Sequence, residues 1–132
     1  PHIVAGALDR LEAALRADHP ATLTTSGTPR STLPGQEIAR TLAVMATDPR
    51  LRDACDAMIL TGGDVAASVC VCLEAEAIWL GGEVLPAIPW GTLHGGMRPD
   101  MPIVTKAGSF GDDSAMVDTI AFLTKAVPIP EA

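Results

Sequence analysis

Two short apolar runs in this chain each lead directly into a glycine-rich turn and then into a helical pattern. The first reads Ala57-Met58-Ile59-Leu60-Thr61-Gly62-Gly63-Asp64, and the second Pro102-Ile103-Val104-Thr105-Lys106-Ala107-Gly108-Ser109-Phe110-Gly111. Strand, tight turn and helix in that order restrict the chain to layered α/β architectures. A helix start also presents N–H groups without intrahelical acceptors and the positive end of the helix dipole. Glycine, having no side chain, lets an anion reach those groups. Meeting the arrangement twice in 132 residues points to one phosphate-bearing ligand held between two turns.

That length suits a single domain, residues 1–132, burying about two-thirds of its unfolded surface. With 48% apolar residues the chain is not of the disordered class. Aromatic residues are confined to Trp79, Trp90, Phe110 and Phe122, so the core must be aliphatic. This composition fits a layered α/β domain with a mostly parallel sheet flanked by helices. A net charge of −7, with basic residues scattered along the chain, argues against nucleic acid, which is bound by neutralising phosphates. Cys55, Cys70 and Cys72 form no disulfide framework and read as reduced packing thiols of a cytoplasmic protein. No apolar run approaches the roughly 20 residues of a membrane span, and no signal-peptide layout opens the chain. The start at Pro1, without an initiator Met, is compatible with a piece of something larger.

Ile3, Ala7, Leu8, Leu11, Ala14 and Leu15 recur at helical spacing and predict a first helix to about Ala17. Residues 21–25 read as a Thr-rich strand, 26–35 as a loop, and Ile38, Leu42 and Met45 as a second helix stopping near Asp48-Pro49. A strand at 57–61 precedes a helix whose buried stripe is Val65, Ala66, Val69, Cys72 and Leu73. A strand from Ala77 extends towards Glu83-Val84. Pro86, Pro89 and Gly91 then leave room only for a short strand around 90–93. After a loop at 94–100, residues 102–105 form the last strand. Met116, Val117, Ile120 and Ala121 set the last helix, and 127–132 is a tail.

Within the first turn, Gly62 and Gly63 can bring backbone N–H groups against phosphate oxygens, while Asp64 either caps the helix or approaches a phosphate-bound Mg²⁺. In the second, Lys106 stands at the carboxyl end of its strand, where open α/β sheets bind ligands, and supplies a point charge. Gly108 and Gly111 bracket Ser109-Phe110, so the backbone can bend while Phe110 packs inward or against a base. Asp112 and Asp113 read first as helix caps and second as acid/base candidates. Ser26-Gly27-Thr28 is a plain turn that can touch a ligand, and Glu83 belongs to a bend. His2, His19 and His94 share no metal-binding spacing, so no metal site and no catalytic residue is assigned.

Three stretches, Thr61-Gly62-Gly63-Asp64-Val65-Ala66, Gly82-Glu83-Val84-Leu85-Pro86-Ala87-Ile88-Pro89-Trp90-Gly91 and Val104-Thr105-Lys106-Ala107-Gly108-Ser109-Phe110-Gly111, resemble in kind and order those of the four-carbon acid sugar kinases. The resemblance spans roughly residues 8–123 and is most specific in the last motif. It implies the later portion of a C-terminal ATP-binding domain, whose full-length enzyme adds an N-terminal domain for a 3-oxo-tetronate, threonate or erythronate. That sugar-acid domain and the family's opening Ser-Gly-Ser-type turn are missing from this sequence. By position, Gly62, Gly63, Asp64, Val65 and Gly108 match the family's nucleotide-binding residues, and ATP with Mg²⁺ is the implied cofactor.

Three positions depart from the family pattern. Val65 replaces a usual Thr and removes a hydroxyl. Ser109 replaces Gly or Asn. Ala87 replaces the Gly of a Pro-Gly turn, implying a conformationally less demanding turn. The leading reading is therefore the ATP-binding part of a sugar-acid kinase, catalytically silent alone and open to self-association through apolar surface. A non-catalytic α/β ligand-binding or assembly module stands as the alternative, with a transferase that uses the same anion-binding turns as a third.

Overall fold

The computed structural model describes residues 2–25, 32–108 and 111–125. The chain orders itself as α1 (His2–Arg16), α2 (Gly35–Ala46), α3 (Pro49–Arg52), β1 (Met58–Thr61), α4 (Gly63–Cys72), β2 (Ala77–Leu85), β3 (Ile88–His94), β4 (Pro102–Lys106) and α5 (Ala115–Thr124). Asp48-Pro49, read from sequence as a helix stop, also starts α3. Asp48 accepts the N–H of Arg50 at 2.9 Å, and Pro49 occupies the first turn, where its missing N–H costs nothing. Residues 21–25 form no strand; the β-propensity of threonine counts only where a sheet surface receives it. Residues 26–31, with the Ser26-Gly27-Thr28 turn, and the tail at 127–132 lie outside the described residues.

The sheet is four-stranded in the order β1-β4-β3-β2, and only β1 and β4 run parallel. The expectation of a mostly parallel sheet is therefore corrected to a mixed one. A two-residue connection, Pro86-Ala87, folds β2 back on β3, and so short a link can join only antiparallel strands. β3 is longer than the prolines and Gly91 suggested. Pro89 sits opposite Glu83 beside a register shift, and β4 pairs only with Trp90, Gly91 and Thr92, so the missing N–H leaves no gap on that side.

Each face of the sheet carries its own core. On one, Leu60, Leu93 and Ile103 meet Val69 and Leu73 of α4, Ala43 of α2 and Met101. On the other, Ile88 and Val104 meet Ala115 of α5, with Ile59, Trp90 and Leu123 packed around them. Trp90 tilts against Phe122 at 5.6 Å and covers Gly81, where a Cβ would overlap the indole. α5 turns a different side inward from the one expected. Ala115 and Thr119 are buried while Met116 and Val117 are exposed, because apolar residues lie on more than one side of the helix and a threonine lies on the buried one, which blurs the periodic signal. The Thr119 hydroxyl is satisfied by the Ala115 carbonyl at 2.7 Å.

α1 is tied to α3 rather than to the sheet. Arg50 reaches Asp9 and Glu12, and Arg16 joins Glu12 at 3.1 Å. The Arg50 hydrogen bond, then that of Arg16, holds the Glu12 carboxyl below the usual range. All three cysteines are free thiols. Burial pushes those of Cys55 and Cys70 up, which keeps them protonated and inert. Among the described residues no helix is long and apolar enough to cross a membrane.

Candidate functional site

Because β1 and β4 are parallel neighbours with Thr61 opposite Lys106, the two glycine turns leave the sheet side by side at its carboxyl edge. A hydrogen bond joins them: the Gly62 N–H donates to the Lys106 carbonyl at 2.9 Å. Gly62 is the N-cap of α4 at φ +98, a conformation that L side chains rarely adopt, and its carbonyl accepts the Ala66 N–H. This glycine is committed to architecture.

The next residues differ. Among the described residues the N–H groups of Gly63, Asp64 and Val65 have no acceptor, and they stand at the positive end of α4. A Cβ built on Gly63 meets nothing within 4 Å, and the same holds at Gly108, so protein packing does not call for glycine at either position. Asp64 is exposed in the first turn and makes no side-chain cap, which leaves the cap to the Gly62 backbone. Val65 is half-buried and packs its side chain against the core, while its N–H stays at the helix start.

On the second turn, Lys106 Nζ donates to the carbonyls of Ala107 at 3.2 Å and Gly108 at 3.4 Å. The ammonium is thereby folded over its own loop at the sheet edge. Ser109 and Phe110 lie outside the described residues. Asp112 accepts both the N–H and the hydroxyl of Ser114, the N-cap of α5, at 3.0 and 2.7 Å. These bonds, the hydroxyl's first, hold its carboxyl below the usual range, as befits a helix-start residue.

Between the turns lies a cleft of about 270 Å³. Gly62, Gly63 and Ala66 form its α4 side, and Thr105, Lys106 and Ala107 its β4 side. Asp64 and Val65 adjoin it through the helix start, and Gly108 follows its lining by one residue. Sequence reasoning missed the third wall, Ala87 and Pro89. The signal for it lay in the Pro86-Ala87 turn, which is not less demanding after all. Ala87 adopts φ +66, where the second residue of a proline-led type II turn favours glycine. Glu83 Oε1 accepts the Ala87 N–H at 3.1 Å, in keeping with its place in a bend.

Parallel strands whose carboxyl ends feed two adjoining turns, one of them a helix start with unspent N–H groups, form the kind of edge at which α/β domains receive anions. Residues 2–116 match the family described as the nucleotide-binding C-terminal domain, and the chain belongs to that family. It is 35% identical over 89 residues to a D-threonate kinase of Salmonella typhimurium, an overlap of 67% of this chain and 21% of the relative. A D-threonate kinase of Bordetella bronchiseptica is 38% identical over 85 residues, covering 64% and 21%. A D-erythronate kinase of Heliobacterium modesticaldum is 36% identical over 63 residues, covering 48% and 14%. The chain thus spans about a fifth of the length of the D-threonate kinases it matches. A crystal structure from Bordetella bronchiseptica, described as a domain of unknown function with bound citrate in a domain-swapped dimer, superposes with a TM-score of 0.66 at 34% identity. It aligns with 86% of this chain and 30% of the neighbour. The resemblance to four-carbon acid sugar kinases noted in the sequence holds.

Proposed function

We propose that this chain is the nucleotide-binding part of an ATP-dependent kinase acting on four-carbon sugar acids of the 3-oxo-tetronate, threonate or erythronate type. The observation that carries the reading is the meeting of the two turns in one cleft, with Gly62, Gly63 and Lys106 among its lining. Phosphate oxygens accept from the N–H groups of Gly63, Asp64 and Val65, and Lys106 supplies positive charge across the gap. Gly108 keeps the facing turn open to the same phosphates. Mg²⁺ arrives with the nucleotide, held by phosphate oxygens and the Asp64 carboxylate. The cleft is smaller than the roughly 300–1,000 Å³ of whole-ligand pockets, so it fits the phosphate tail, with base and ribose lying beyond it.

Phosphoryl transfer consists largely of positioning both reactants and stabilising charge. On this reading residues 1–132 form one unit of a larger cytoplasmic enzyme whose sugar-acid domain supplies the acceptor pocket. The unit alone is catalytically silent. Self-association belongs to the same proposal, since Val71, Trp79 and Leu80 are exposed here and the Bordetella bronchiseptica protein is a dimer. Calorimetric titration with ATP·Mg²⁺ tests the reading. Saturable binding by the wild type that is lost in Gly63→Val, with the fold intact, is the expected result. A wild type that binds no nucleotide, or a variant that binds equally well, sinks it and leaves a non-catalytic module in its place.

A further inference from the structure

Glu83 lies exposed on β2 and pairs with no described Lys, Arg or His. Among the described residues its side chain accepts one hydrogen bond, from the Ala87 N–H. Register shifts flank it, between Leu80 and Gly82 and between Glu83 and Leu85, and such irregularities re-aim the side chains beside them. Ala87 holds φ +66, a conformation that disfavours any residue with a Cβ. Ala87 and Pro89 line the same cleft as Gly62 and Gly63.

We propose that Glu83 is a positioning residue of the nucleotide cleft, its carboxylate clamping the Pro86-Ala87 turn so that Ala87 and Pro89 stand where the bound phosphates need a wall. The inference rests on the nucleotide reading of this cleft. Without the acceptor, the Ala87 N–H turns to water and the residue relaxes towards the right-handed region that alanine prefers. Pro89, two residues on, is carried with it, and the cleft loses its shape on that side. Glycine at position 87 removes the need for the clamp, because it holds a positive φ at no steric cost.

The test is ATP·Mg²⁺ titration calorimetry on the full 132-residue chain and its variants, with thermal unfolding recorded for each. Glu83→Ala weakens binding about tenfold, the order expected for losing a hydrogen bond to a charged acceptor. Glu83→Gln, whose amide oxygen still accepts, loses no more than about threefold. Adding Ala87→Gly to Glu83→Ala recovers most of the lost affinity, which a general loss of stability does not explain. Amide hydrogen exchange at Ala87 rises in Glu83→Ala and supports the clamp directly. Equal affinity of Glu83→Ala and a binding-competent wild type overturns the inference alone, as does a double variant no better than the single one. A wild type without nucleotide binding overturns the underlying reading together with it.

Discussion

The β1–α4 turn and the β2–β3 turn solve the same problem by different means. Each places a residue in the left-handed region at the cleft, Gly62 at φ +98 and Ala87 at φ +66. Each ties that residue's N–H to another part of the chain. Gly62 donates to a main-chain carbonyl, that of Lys106, whereas Ala87 donates to a side chain, that of Glu83. The first turn is therefore written into the backbone and carries no side-chain strain. The second holds a Cβ where none is favoured and depends on a carboxylate to keep it there. One wall of the cleft is robust to substitution of its neighbours and the other is conditional.

Replacing Gly62 is the most severe way to break this comparison. Gly62→Ala forces a Cβ into the unfavourable conformation and lowers the unfolding free energy by about 2 kcal/mol, read as a shift of the urea midpoint. The reverse change at the other turn, Ala87→Gly, relieves strain and raises stability by about 1 kcal/mol in the same assay. Loss of stability there shows that the turn tolerates its alanine and that the contrast is false. Gly63→Ala sharpens the distinction between neighbours. With open space around its Cβ it stabilises the α4 start by about 0.5 kcal/mol, while nucleotide affinity falls. The smallest effect lies at α1. Glu12 has a folded pKa lowered by Arg50 and Arg16, so its contribution is present above the unfolded value and is lost as pH falls through the folded one. Thermal midpoints recorded from neutral pH to below about pH 4 therefore fall less steeply in Glu12→Gln than in the wild type. Part of the slope survives, because Asp112 is depressed in the same direction by Ser114.

Local order was legible where local spacing governs it. The helices α1, α2 and α4 and the strands β1 and β4 follow from periodicity and from the glycines at their ends. The meeting of Gly62, Gly63 and Lys106 was legible too, since parallel strands bring their carboxyl-end turns to one edge. Pro89 hid the length of β3, because a proline is harmless wherever the adjoining ladder does not need its N–H. α5 hid its buried side, because its apolar residues are spread around it, and Thr119 gave no hint that its hydroxyl is satisfied within the helix. The wall formed by Ala87 and Pro89 depends on how the hairpin folds across the sheet edge, which no short-range pattern encodes. Even so, a proline followed by alanine in place of a Pro-Gly turn is a trace of it, because Ala87 holds the positive φ that glycine would hold without strain.

The bond from Gly62 to the Lys106 carbonyl adds a rung to the parallel ladder just past the last strand residues. The floor of the site is thus an extension of the sheet's own lattice and cannot yield without unzipping it. Any change in the width of the cleft therefore falls to the opposite lip, where Ala87 and Pro89 stand.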